Sequence, residues 1–118
     1  MTMTAGTPGR PVRGSTTGRP VMAALDLFGR RWTLRVMWEL QNGSVGFRAL
    51  QQQCGSMSSS VLRQRLTELQ EARLVERDTE GGYRLSNLGA DACQELRGLH
   101  QWAERWAAEL DTALDDTK

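Results

Sequence analysis

The sequence predicts a mainly α fold with a small β-hairpin, in the order α-α-α-α-β-β-α. Apolar residues recur with a helical period over most of the chain from Val21 onward. Two short β-forming runs, Leu74 to Asp78 and Tyr83 to Ser86, enclose Thr79-Glu80-Gly81-Gly82, and Gly-Gly between such runs signals a hairpin. Ahead of it a short helical run, a Gly55-Ser56 break and a longer leucine-spaced run stand in series. That succession is a helix-turn-helix followed by a wing.

Residues 1–19 are Thr, Gly, Pro and Arg with almost nothing to bury, and they read as a flexible basic arm carrying Arg10, Arg13 and Arg19. Residues 20–118 are then one domain of ordinary size with a single core. In its first helix Val21, Leu25 and Phe28 share a face, and Gly29 is a stop. A second helix is expected from Arg30 to Gln41. Its apolar sector (Thr33, Leu34, Val36, Met37, Trp38, Leu40) is so wide that the helix should sit in the middle of the core. Asn42-Gly43 ends it. A third, short helix covers Phe47 to Cys54, with Phe47 and Leu50 inward and Arg48, Gln51 and Gln52 outward. The fourth follows the Gly-Ser turn, capped by Ser56 or Ser58, and runs to about Ala72. After the hairpin, a last helix extends from Asn87 to Leu110 or beyond.

No apolar run is long enough to span a membrane, and residues 1–20 lack the apolar stretch of a secretion signal, so a cytoplasmic protein is expected. The net charge of +1 conceals an asymmetry. Up to Arg65 there are nine Arg against Asp26 and Glu39, whereas from Leu66 onward six basic side chains face twelve acidic ones. A local basic surface, rather than the total, is what attracts a polyanion. Cys54, Cys93 and the single His100 are too few and too scattered for a metal site, and no phosphate loop or nucleophile elbow is present. No enzyme, cofactor or metal is expected.

The functional reading centres on the fourth helix. Leu66 lies about 40° from Leu62 around the helix and Leu69 about 20° to the other side, so these three hold it to the core. Ser60, Arg63, Gln64 and Thr67 gather on the far face, a donor-rich set without a carboxylate, and Ser58 and Ser59 open the helix. A helix fits the major groove of B-DNA. Arg can fork onto guanine, Gln onto adenine, and Ser suits phosphate or base. Glu68 and Glu71 come only in the later turns. Arg65, nearer the apolar flank, suits a phosphate or a local ion pair equally. In the hairpin, Arg77 and Arg84 could touch phosphates or the minor groove. Alternatively the hairpin only closes the core edge through Leu74, Val75, Tyr83 and Leu85.

The last helix carries one stripe: Ala92, Leu96, Leu99, Trp102, Ala103, Trp106 and Leu110. Some 24 helical residues span roughly 36 Å, more than a domain this small can cover, so a second copy of the chain is the expected partner. The plainer alternative packs both Trp inside their own subunit. Two-fold symmetry would place two recognition helices on successive major grooves.

Several linked motifs together resemble the HxlR-type family of bacterial winged-helix regulators, related to the MarR-type architecture. They are the run from Ala24 to Leu34 (Ala-Leu-Asp-Leu-Phe-Gly-Arg-Arg-Trp-Thr-Leu), Phe47-Arg48-Ala49-Leu50, Val61 to Leu69, Leu74-Val75-Glu76-Arg77, and Tyr83 to Gly89. The resemblance covers about Val21 to Trp106. It implies a homodimer built from the N- and C-terminal helices, which adds Val21 and Leu25 to the dimer face, and a palindromic double-stranded DNA operator. The Cys-Pro that the family often carries before its first helix is Arg19-Pro20 here, so an oxidant-sensing role for that thiol does not transfer. The wing is also shorter than usual. A protein-docking winged helix is the competing reading. A small-molecule inducer is a further candidate partner, with Trp32, Trp38, Met22 and Met37 as a pocket lining or simply core. Cys54, just before the fourth helix, is either a redox-responsive thiol or a small buried apolar residue.

Overall fold

The computed structural model describes residues 19–116. Arg10, Arg13 and the rest of the predicted basic arm up to residue 18 lie outside the described residues. The elements are α1 (Pro20–Phe28), α2 (Thr33–Glu39), α3 (Phe47–Gln53), α4 (Ser59–Glu71), β1 (Val75–Arg77), β2 (Tyr83–Leu85) and α5 (Asn87–Asp116). This is the predicted order, mainly helical with one antiparallel hairpin.

The second helix departs from expectation. Trp32 takes a left-handed backbone conformation, φ 78°, which breaks the helical run, so Arg30, Arg31 and Trp32 form a turn and α2 begins at Thr33. Its apolar sector is also not all interior. Val36, Met37 and Leu40 are buried, but Leu34 and Trp38 are exposed, because only one face of α2 meets the core.

That core joins Leu27, Val36, Met37, Leu40, Leu50, Leu62, Leu66 and Leu69, closed by Leu74, Val75 and Tyr83 of the hairpin. Each fully buried aliphatic side chain contributes about 1.5–3 kcal/mol relative to exposure, and α4 supplies three of them. It is therefore held rigidly from behind.

Two turns set the helix-turn-helix. At the end of α3, Gly55 (φ 77°) takes the left-handed position. Gly55 N–H donates to the Gln52 carbonyl and Ser56 N–H to that of Gln51, the paired bonds of a Schellman ending. The Gln51 side chain turns back to donate to the Met57 carbonyl at 2.8 Å, so it clamps the turn instead of pointing outward as predicted. Arg35 of α2 donates to the Gln53 carbonyl at 2.7 Å, fixing the C-terminus of α3. The end of α4 repeats the Schellman pattern with Arg73 (φ 65°) in the left-handed position: Arg73 N–H donates to Gln70 O and Leu74 N–H to Leu69 O.

The hairpin pairs Val75 with Leu85, Glu76 with Arg84 and Arg77 with Tyr83. A bridge that the sequence did not announce adds Val45 to its edge, with N–H···O bonds of 2.9 Å in both directions to Tyr83. Ser86 then starts α5: its hydroxyl donates to Arg73 O and accepts from Gly89 N–H, serving as the cap. Gly89 lies against the strand so closely that a Cβ there would stand 2.1 Å from the Leu74 carbonyl oxygen. Only glycine fits.

Candidate nucleic-acid interface

The outer face of α4 is open. Leu62, Leu66 and Leu69 are buried, while Ser59, Ser60, Arg63, Gln64 and Thr67 on the other side are exposed. With Glu68 at the far end, these residues line one shallow hollow along the helix. The predicted strip is thus continuous in space. Its members differ in what they already hold. Ser58 is the N-cap, accepting from Val61 N–H at 3.3 Å and lying 2.9 Å from the Ser60 hydroxyl. Thr67 donates its hydroxyl to the Arg63 carbonyl one turn back. Arg63 lays its guanidinium over the Phe47 ring, 4.7 Å from the centroid, which links the two helices of the motif and keeps the fork near the N-terminal half of α4. Phe47 is only half-buried, its exposed side serving as that platform. Arg48 projects from α3 and is exposed.

Arg65 takes the ion-pair alternative. Its Nη1 lies 2.7 Å from Glu68 Oε1, and the side chain is only 15% exposed. Glu68 is itself neutralised, since its other oxygen accepts from Arg30 at 3.0 Å. A carboxylate therefore borders the strip, but two cations satisfy it. In the hairpin, Arg77 stacks on Tyr83 and donates to its hydroxyl and to the Gly81 carbonyl. Arg84 pairs with Glu76 across the strands at 3.1 Å, both half exposed. The wing arginines are occupied in holding the hairpin together, and Tyr83, Leu74 and Val75 close the core edge as the plainer alternative had it.

A second surface is apolar. Val21 and Leu25 of α1 are exposed, as are Leu99, Trp102, Trp106 and Leu110 of α5, together with Leu88, which the sequence reading passed over. Leu96 is partly covered. The two tryptophans stack on each other at 5.4 Å rather than entering the subunit's own core.

Comparison with known proteins identifies the architecture. The sequence pattern described as HxlR-like helix-turn-helix matches residues 27–111. The chain belongs to the HxlR family. Among relatives, the HTH-type transcriptional regulator YodB of Bacillus subtilis is 24% identical over 111 residues, covering 89% of this chain and 99% of the relative. The HTH-type transcriptional regulator YvaP of the same species is 29% identical over 89 residues, 70% of this chain and 82% of that protein. Quinone-bound YodB superposes with a TM-score of 0.63 at 27% identity, covering 75% of this chain and 96% of that one. A MarR-family regulator from Enterococcus faecalis V583 gives 0.69 at 24% identity over 85% of this chain and 96% of that one, a likeness of fold. The protein is a winged-helix transcriptional regulator of the HxlR/MarR type and not an enzyme.

Within this HxlR protein, an apolar cleft of about 230 Å³ opens between α2 and α5, lined by Leu34, Met37, Trp38, Leu96, Leu99 and His100 among others. Of the predicted pocket residues, Trp38 and Met37 are there, while Trp32 and Met22 are elsewhere. His100 stacks on Trp38 at 5.1 Å and pairs with Glu104. Both cysteines are buried. Burial, then the Glu39 charge, pushes the Cys54 thiol above its usual range against the opposing pull of Arg35; burial likewise raises Cys93, against Arg97. A protonated, covered thiol is a poor nucleophile, so Cys54 suits the packing role. Among the described residues no cluster of His, Cys, Asp and Glu could hold a metal, and no helix is long and apolar enough to cross a membrane.

Proposed function

We propose that this HxlR-family chain regulates transcription as a homodimer that binds a palindromic double-stranded DNA operator, with one α4 in each of two successive major grooves. The observation that carries the reading is the exposed, donor-rich strip of α4, backed by three buried leucines. Arg63 and Gln64 have the chemistry to read guanine and adenine, while Ser58, Ser59, Ser60, Thr67 and Arg48 suit phosphates at the groove edge. Arg65 serves by holding Glu68 and makes no direct contact in this scheme. Arg77 and Arg84 bring at most phosphate contacts, after leaving Tyr83 and Glu76. The dimer rests on α1 and α5, whose apolar faces at Val21, Leu25, Leu96, Leu99, Trp102, Trp106 and Leu110 need a partner.

The test is binding to duplex DNA across a salt series. Affinity should fall linearly on a double-logarithmic scale with a steep negative slope, as expected when cationic side chains displace counterions. Binding that ignores salt, or a protein partner that docks on the α4 strip in place of DNA, would favour the protein-docking reading instead.

A further inference from the structure

Glu68 lies at the edge of the α4 strip, and its two carboxylate oxygens are divided between different parts of the molecule. Oε1 accepts from Arg65 on its own helix at 2.7 Å, and Oε2 accepts from Arg30 at 3.0 Å. Arg30 belongs to the turn after α1, and its other terminal nitrogen donates to Asp26 of α1, also at 3.0 Å. Arg30 therefore grips one carboxylate on the helix that bears Val21 and Leu25 and another on the helix that bears Arg63 and Gln64. The four charges cancel. All four side chains are only 15–24% exposed, so water screens this chain less than it does a surface pair. A guanidinium is the group that can hold two carboxylates at fixed angles. The left-handed backbone at Trp32 shapes the far side of the same turn, and Arg30 O accepts from Thr33 N–H at 3.2 Å.

We propose that Arg30 is a positioning residue for operator recognition: by bridging Asp26 and Glu68 it locks α4 to α1 and so fixes the reach of each recognition helix from the dimer seam. This rests on the dimeric DNA-binding reading above. In a two-fold dimer, the distance between the two recognition helices sets the half-site separation that fits best. Loosening the link between seam helix and recognition helix widens the range of separations tolerated without altering which bases Arg63 and Gln64 read.

The experiment uses the full chain and its selected operator, re-synthesised with the half-site separation shortened or lengthened by one and two base pairs. Affinity for each duplex is measured for wild type, Arg30→Ala and Glu68→Gln, with dimer mass and thermal midpoint recorded in parallel. Wild type should prefer one separation by roughly tenfold or more, and both variants should reduce that preference to about threefold or less. Base preference inside each half-site should stay unchanged. The isosteric Glu68→Gln keeps the test available if Arg30→Ala folds poorly. A folded variant of either kind that keeps the wild-type separation preference overturns the proposal. So does restoration of the preference in the Arg30→Ala/Glu68→Gln double variant, which would reduce Arg30 to a neutraliser of Glu68. Wild type that binds no duplex at all would instead remove the DNA-binding reading on which the proposal stands.

Discussion

Replacing Trp106 with Ala should weaken the dimer by roughly two orders of magnitude while leaving the subunit folded. Trp106 is 55% exposed in the single chain and Trp102 48%. A tryptophan offers up to about 250 Å², so roughly half of that, on the order of 130 Å², is open on Trp106. At about 25 cal/mol per Å² this corresponds to about 3 kcal/mol per copy, and a two-fold interface contains the residue twice. Area overstates association energy, because side chains must be ordered and some contacts lie at the rim. Halving the doubled figure leaves about 3 kcal/mol, or somewhat over a hundredfold in the dissociation constant. Sedimentation equilibrium from nanomolar to tens of micromolar chain measures it, with circular dichroism confirming the fold. Loss of the Trp102 stack acts within one chain and should shift the thermal midpoint only slightly. Wild type that stays monomeric throughout the range, or a variant that dimerises as tightly as wild type, would refute the reasoning.

Further outcomes follow from local geometry. Gly89→Ala sets a methyl against the Leu74 backbone at 2.1 Å, and backbone cannot yield as a side chain can, so a loss of about 3 kcal/mol or more is expected in denaturant unfolding; a change under 1 kcal/mol would contradict it. Arg73→Gly relieves a left-handed residue at the end of α4 and should raise stability by about 1 kcal/mol in the same assay. The Asp78 carboxyl is held below its ordinary range by the Ser44 hydroxyl, then by Gly82 N–H and Glu80 N–H, against a small opposing effect of burial. Because the folded value is the lower one, the hairpin turn keeps this contribution above the unfolded carboxylate value and loses it as pH falls through the folded one. The Gly82 amide resonance should therefore titrate with a midpoint below that of a free aspartate, and Asp78→Asn should abolish the titration.

Regular periods made most of this protein legible. Leucines at 62, 66 and 69 announce both the anchored side of α4 and, by subtraction, its open side. The exposed stripe of α5 follows from the helix being too long for its own domain, and at 30 residues it is longer than the sequence reading required. What stayed hidden depends on contacts without a period. Nothing local marks Trp32 as left-handed, a conformation that non-glycine residues adopt only when their surroundings impose it. Without that break, Leu34 and Trp38 look like core. The Val45–Tyr83 bridge is a single pair and leaves no pattern. Arg65 was open between phosphate and carboxylate until Glu68 appeared beside it, and Arg30, 38 positions earlier, completes a group that only folding assembles. The wing arginines show the same limit: the Glu76–Arg84 pairing depends on register, which Gly81-Gly82 suggests but does not set.

The most direct measurement is selection of bound sequences from a random duplex pool by wild type and by Arg63→Ala. Wild type should enrich a motif with two-fold symmetry, its half-sites about one helical turn apart. The variant should lose preference at one matching position in each half-site, with affinity for the wild-type motif down about five- to hundredfold. A pool that never enriches, or an Arg63→Ala motif identical to that of wild type, would contradict the assignment of α4 as the reading helix.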